Sequence, residues 1–311
     1  MKWKRGKGGS RDVVDVRGKR SGGASWGGGG FGGRGGGIPM PGIGRMGGGA
    51  GILAVVVIVL INVLGSSGGG GYEIADAFGP QATAPGAENP APIPRSEDPD
   101  AELKDFSVYV FEDVQSTWQK TFAAAGRRYD RAKLVLYSGA VSTNGCGSAT
   151  SAVGPFYCPG DNSVYLDLSF YKQIADQLGA SGDFAWAYVI AHEMGHHVQN
   201  ESGTTAQVAR AGRDEQIGAE GLSVRTELQA DCYAGVWAST VYEEGDLDEG
   251  DIAEAFGAAR AVGDDRLQKQ ATGTVEPDTF THGTSQQRRA WFDRGYGSAD
   301  PGACDTFSAD L

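Results

Sequence analysis

The sequence predicts a helix-rich α+β domain of about 200 residues, preceded by one transmembrane helix. Three observations lead there. Short strand-like runs come early in the body of the chain, and long apolar helical segments dominate its second half. Near the N-terminus, one charge-free apolar run, Ile52–Leu64, lies between Gly-rich flanks.

The N-terminal third divides by composition. Residues 1–50 carry ten Lys or Arg against two Asp, whereas the rest carries 17 basic and 37 acidic residues. Glycine runs such as GGGGFGGRGGG bury too little apolar surface to offset ordering entropy, so residues 1–49 read as a disordered basic tail. Such a tail could meet nucleic acid or lipid headgroups, but a solvated arm is the simpler reading and nucleic acid is not an expected partner.

The run GILAVVVIVLINVLG is short for a span, yet no charge occurs between Arg45 and Glu73. A signal peptide would have a much shorter basic region. Residues 50–66 are therefore expected to cross a membrane once, with the N-terminus cytoplasmic and the body extracytoplasmic. Residues 67–104, rich in Gly, Pro and acids, read as a linker, which leaves residues 105–311 as the folded domain.

All four cysteines, Cys146, Cys158, Cys232 and Cys304, fall in that domain, where disulfides persist. Cys146 with Cys158 is the local pair, leaving Cys232 with Cys304. Cysteine ligation of zinc lacks any Cys-x-x-Cys spacing.

Within the domain, FEDVQSTWQKTFAAAG has helical periodicity and stops at Gly126. KLVLYSG reads as a strand, and NSVYLDLSFY alternates with Val164, Leu166 and Leu168 on one face. DFAWAYVIAHEMGHHVQ reads as a helix capped by Asp183, and residues 204–219 as a further one. SVRTELQADCYAGVWASTVYE is a second strong apolar helix, and DIAEAFGAARAVGDDRLQKQA and SQQRRAWFDRGY are two more.

The chemistry concentrates in AHEMGHH. Residues four apart on a helix share a face, so His192 and His196 can offer two imidazole nitrogens to one ion. Glu193 can then reach a water at that ion without being a ligand, the geometry of His-Glu-x-x-His. Zinc, one per chain, suits two neutral imidazoles plus a third ligand and an open position. Gly195 leaves room for a close approach, and His197 faces elsewhere.

The third ligand is expected from RTELQADCYAG: Glu227 as ligand, and Asp231, one turn on, holding a ligand histidine, His192. Glu215 and Glu220 sit in a polar, Gly-interrupted segment and are weaker candidates. A developing oxyanion needs a donor besides the metal, and His282 is the candidate, followed by Arg288 or Arg289 and by Tyr157.

Four stretches, AHEMGHHVQN, RTELQADCYAGVWA, PFYCPGDNSVYLDLSF and THGTSQQRRAWFDRGY, resemble the neutral zinc metallopeptidase family, the YpfJ-like proteins. More distantly, His-Glu-x-x-His with Glu-x-x-x-Asp resembles the glutamate-zincins. That resemblance implies a zincin-like domain whose metal helix packs beside an edge strand that holds the substrate backbone. SAVGPFYCPG is the candidate strand. Some of those relatives have His-Pro near an Arg, where this chain has His282-Gly283.

Two readings follow. One is a membrane-anchored zinc endopeptidase acting on proteins or peptides, with Glu193 as general base and His282 as a further catalytic group. The other is a non-catalytic, zinc-stabilised cell-envelope module that holds an extended peptide. Glu193 beside an open ligand position favours the enzyme.

Overall fold

The computed structural model describes residues 1–4, 10–18 and 93–311. The first long helix, α1 (Ala101–Ala124), buries Phe106, Val110, Val114, Trp118 and Phe122, an apolar stripe at helical spacing. It begins before the expected boundary at 105, because a 3-10 turn at Arg95–Glu97 and Asp98 lead directly into it. The last part of the expected linker is thus part of the fold.

Strands β1 (Val13–Asp15), β2 (Lys133–Tyr137), β6 (Ser163–Asp167) and β5 (Phe156–Cys158) form one sheet in the order β1-β2-β6-β5. The β1–β2 and β2–β6 pairs are parallel, and β5 runs antiparallel to β6. A hairpin of β3 (Ala140–Ser142) and β4 (Ser148–Thr150) covers one face of this sheet with Val135, Tyr137, Phe156 and Tyr165. The other face presents Leu134, Leu136, Val164 and Leu166 to the helices, where Leu168 joins the same core. Coverage on both sides explains why every residue of β6 is buried.

The strand β1 corrects the expectation of a disordered tail. Val13, Val14 and Asp15 pair with Leu134, Val135 and Leu136 across more than a hundred residues of sequence. Arg17 forms ion pairs with Asp15 at 2.8 Å and Asp98 at 2.5 Å, and all three carboxylate and guanidinium groups are buried. Trp3 packs edge-on against Phe106. The physical reason is that β2 would otherwise be a bare sheet edge, and a three-residue strand with a buried ion pair covers it.

Among the described residues no helix is long and apolar enough to cross a membrane. The expected span, residues 50–66, lies outside them.

After β6 come the short helix α2 (Ser169–Gln173) and the metal-motif helix α3 (Asp183–Ser202). Asp183 does not cap α3 but pairs with the Met1 ammonium at 3.1 Å. The stretch expected as one helix over 204–219 is two short pieces, α4 (Thr204–Val208) and α5 (Arg213–Gln216). The long helix α6 (Leu222–Glu243) follows, then α7 (Asp251–Ala261), α8 (Asp264–Thr272) and α9 (Ser285–Ser298).

A single helix was expected over the α7–α8 stretch. It breaks at Gly263, where a Cβ would meet the Ser285 nitrogen at 2.3 Å. That close approach turns the chain and seats Asp264 under the loop that carries His282.

Small residues bring the helices together. A Cβ on Gly195 would stand 3.0 Å from the Ala230 backbone, so α3 and α6 cross in near contact. A Cβ on Gly295 would overlap the Cys232 carbonyl at 1.9 Å, which fixes α9 against α6 in the same way. Both expected disulfides are present. Cys146–Cys158 ties the β4–β5 region, and Cys232–Cys304 pins the C-terminus to α6.

Candidate metal centre

The α3–α6 crossing assembles the site. His192, Glu193 and His196 project from α3 and Glu227 and Asp231 from α6, one helical turn apart on each helix. One ligating atom each from His192, His196 and Glu227 lie within 4.8 Å of one another. Glu227 Oε2 is 3.1 Å from His192 Nε2, and Glu227 Oε1 is 3.4 Å from His196 Nε2. Two imidazole nitrogens and one carboxylate oxygen are a donor set that suits zinc with a position left open.

Both imidazoles are held by their other nitrogen. Asp231 Oδ1 lies 2.9 Å from His192 Nδ1 and accepts its proton. His196 Nδ1 lies 2.9 Å from Gln199 Oε1, while the Gln199 amide donates to the Thr226 carbonyl at 2.7 Å. Because the amide nitrogen of Gln199 is committed, its oxygen must accept, so His196 carries its proton on Nδ1. Each Nε2 is left free to face Glu227. Sequence reasoning overlooked Gln199; its signal was the i, i+3 spacing from His196.

Asp231 is fully buried and shared. Arg288 Nε donates to its Oδ2 at 2.8 Å and Tyr188 Oη donates to its Oδ1. Arg288 also lies 3.7 Å from Glu227. The expectation of Arg288 or Arg289 near the site resolves by helical phase. Arg289, one residue on, stacks over the Phe256 ring instead.

The electrostatics follow from this packing. Burial works against a charged His192, but the Asp231 carboxylate and then Glu227 outweigh it and push its pKa up to about 10. His196 is raised against the same burial by Glu227. Desolvation would raise Glu227, yet the two imidazoles hold it well below the usual carboxylate range. The carboxylates that favour an imidazolium also favour a bound cation, since both put positive charge at one place. Glu193 is raised, chiefly by burial.

His282 lines the same cavity. Its Nδ1 is 3.0 Å from Asp264 Oδ1, and Asp264 Oδ2 accepts the backbone N–H groups of Thr281 at 2.7 Å and His282 at 2.6 Å. Asp264 therefore fixes both the loop and the ring. Nothing in the sequence marked it, because its partners lie almost twenty residues on. Tyr157, also on the cavity wall, is engaged elsewhere, with its hydroxyl 3.0 Å from His197 Nδ1. His197 is buried and bonded at Nε2 to the Asp130 carbonyl, away from the other histidines. The weaker candidates Glu215 and Glu220 do not line the cavity.

The edge strand falls where the resemblance placed it. β5 ends the sheet, and Phe156 and Tyr157 line the cavity that holds His192, Glu193 and His196. A His-Glu-x-x-His helix crossed by a Glu-bearing helix, with an edge strand alongside, defines the class of helix-borne metal centres. The chain belongs to the family described as "Putative neutral zinc metallopeptidase", which residues 1–307 match.

Among its relatives, the uncharacterized protein YpfJ of Escherichia coli K12 is 43% identical over 301 residues, 96% of this chain and 97% of the relative. The uncharacterized protein Rv2575 of Mycobacterium tuberculosis H37Rv is 53% identical over 192 residues, 58% of this chain and 64% of the relative. No solved structure matches the chain.

Proposed function

We propose that the protein is a zinc-dependent endopeptidase. The observation that carries this reading is the convergence of His192, His196 and Glu227 at a cavity shared with the buried Glu193 and the edge strand β5. His192, His196 and Glu227 would hold the ion, oriented by Asp231 and Gln199. A bound zinc supplies Lewis acidity towards a peptide carbonyl and acidifies water.

The remaining steps belong to the chain. β5 would pair with an extended substrate backbone through main-chain hydrogen bonds. Glu193 would take a proton from the attacking water and deliver it to the leaving amine, a role for which burial raises its pKa appropriately. With Nδ1–H donated to Asp264, His282 would act as the imidazolium and donate Nε2–H to the developing oxyanion. Association of Ile52–Leu64 with a membrane belongs to the same proposal, without a single crossing that would part Val13–Asp15 from the domain.

The test is zinc content of the purified full chain, wild type beside Glu227→Ala, followed by casein cleavage by wild type and Glu193→Gln. The expected result is about one zinc in the wild type, much weakened binding in Glu227→Ala, and zinc without cleavage in Glu193→Gln. Chelator-sensitive cleavage that persists in Glu193→Gln would refute the mechanism. Zinc without cleavage in every form would favour the non-catalytic peptide-holding module.

A further inference from the structure

Resting on the peptidase reading, we propose that the cavity beside Glu193 takes a large apolar side chain from the substrate residue next to the scissile bond. The cavity measures about 220 Å³. His192, His196 and Glu227 line the same cavity, so this volume is shared between the metal centre and an apolar wall. Val153, Phe156 and Phe170 line it on the strand side and Val189, Val262 and Leu267 on the helix side.

Val189 stands one turn before Glu193 on α3, so the apolar wall begins beside the general base. Gly154, at φ +79°, leaves space for the Phe170 ring, which would stand 3.1 Å from a Cβ there.

Apart from Glu193, the charged groups on the wall are already paired. Arg288 is bound to Asp231, His282 to Asp264, and Glu227 to the two histidines. An acidic substrate side chain would lose its hydration there, gain no free cation and face the Glu193 carboxylate. An apolar one would gain by burial.

The experiment measures binding of four zinc-directed probes to the zinc-loaded full chain by calorimetry, so that turnover is not needed. The probes are the hydroxamates of N-acetylated leucine, phenylalanine, glycine and aspartate. Leucine and phenylalanine probes are expected to bind at least tenfold tighter than glycine, and aspartate weakest. Leu267→Ala should shrink the leucine advantage, and Leu267→Asp should abolish it.

Equal binding of all four probes, or an advantage unchanged in both variants, would overturn the subsite while leaving the zinc reading intact. Failure of every probe to bind would overturn the zinc reading and the subsite with it.

A separate observation carries a second inference: we infer that residues 10–18 and the metal centre lie on the same side of any membrane. Val16 N donates to the Leu136 carbonyl at 2.8 Å and Leu134 N to the Asp12 carbonyl at 2.8 Å. Around this strand, Arg17 is bound to Asp98 and Lys104 to Asp15. A chain crossing a membrane once between residues 18 and 93 would pull these partners apart. Residues 18 and 93 must therefore lie on one side.

Arg11 and Tyr242 are both exposed. In intact cells making the full chain, Arg11→Cys and Tyr242→Cys should react alike with a membrane-impermeant maleimide, both labelled or both protected. Opposite labelling would overturn the inference.

Discussion

The metal centre and the N-terminal strand are both buried ionic constructions, but they differ in how far apart in sequence their parts lie. At the metal centre, His192 and His196 share one helix and Glu227 and Asp231 another, so each half is a spacing of four within a helical pattern. At the N-terminal strand, Arg17 meets Asp98 and Val14 meets Val135, with no local pattern to announce either pairing. Charge that repeats on a helix face is readable; charge that finds its partner only through a parallel strand is not.

The comparison can be broken or sharpened by substitution, beginning with the largest effect. Asp231→Ala would leave Arg288 buried without its main partner, a loss of about 3–5 kcal/mol in stability measured by urea unfolding. Zinc affinity should fall about 10–100-fold with it, because His192 loses its anchor. A variant of normal stability and zinc affinity would show that Asp231 is not the hub the geometry makes it.

Arg17→Ala should cost about 3 kcal/mol by uncovering Asp98 and Asp15, yet leave zinc affinity within about twofold. Loss of zinc in that variant would mean that the two regions are coupled. Gln199→Ala should do the converse, lowering zinc affinity about tenfold with little change in urea midpoint. Equal zinc titrations for that variant and wild type would remove Gln199 from the site.

The smallest expected effect is with pH. Asp15 suffers desolvation, but Arg17 and Lys104 more than offset it and bring its pKa down to about 2, and Asp98 is lowered by Arg17 in the same way. A depressed native pKa stabilises the fold above the ordinary carboxylate value of about 3.9, and that contribution is lost as pH falls towards 2. Hydrogen exchange at the Leu134 and Val16 amides should therefore quicken between about pH 4 and pH 2, relative to amides in α6. Unchanged relative protection across that range would separate β1 docking from the ion pairs.

Much of the domain was legible. The helices α1, α3, α6 and α9, the strands β2 and β6 and both disulfide pairings follow from periodicity and cysteine placement. The family resemblance pointed to β5 as an edge strand. The misses share a cause. The break at Gly263 depends on Ser285, Asp264 on the His282 loop, and β1 on β2, and in each case the deciding partner is far along the chain.

The sequence by itself determined which side chains could act as a metal site, because helical spacing is a local property of His192, Glu193, His196, Glu227 and Asp231. Only the tertiary structure decided that the two helices meet with Gly195 against Ala230. It likewise decided that Arg288 rather than Arg289 enters the site, and that residues 10–18 close the sheet. Those outcomes depend on backbone approach and helical phase at contacts between distant segments, and no window of sequence contains both sides of such a contact.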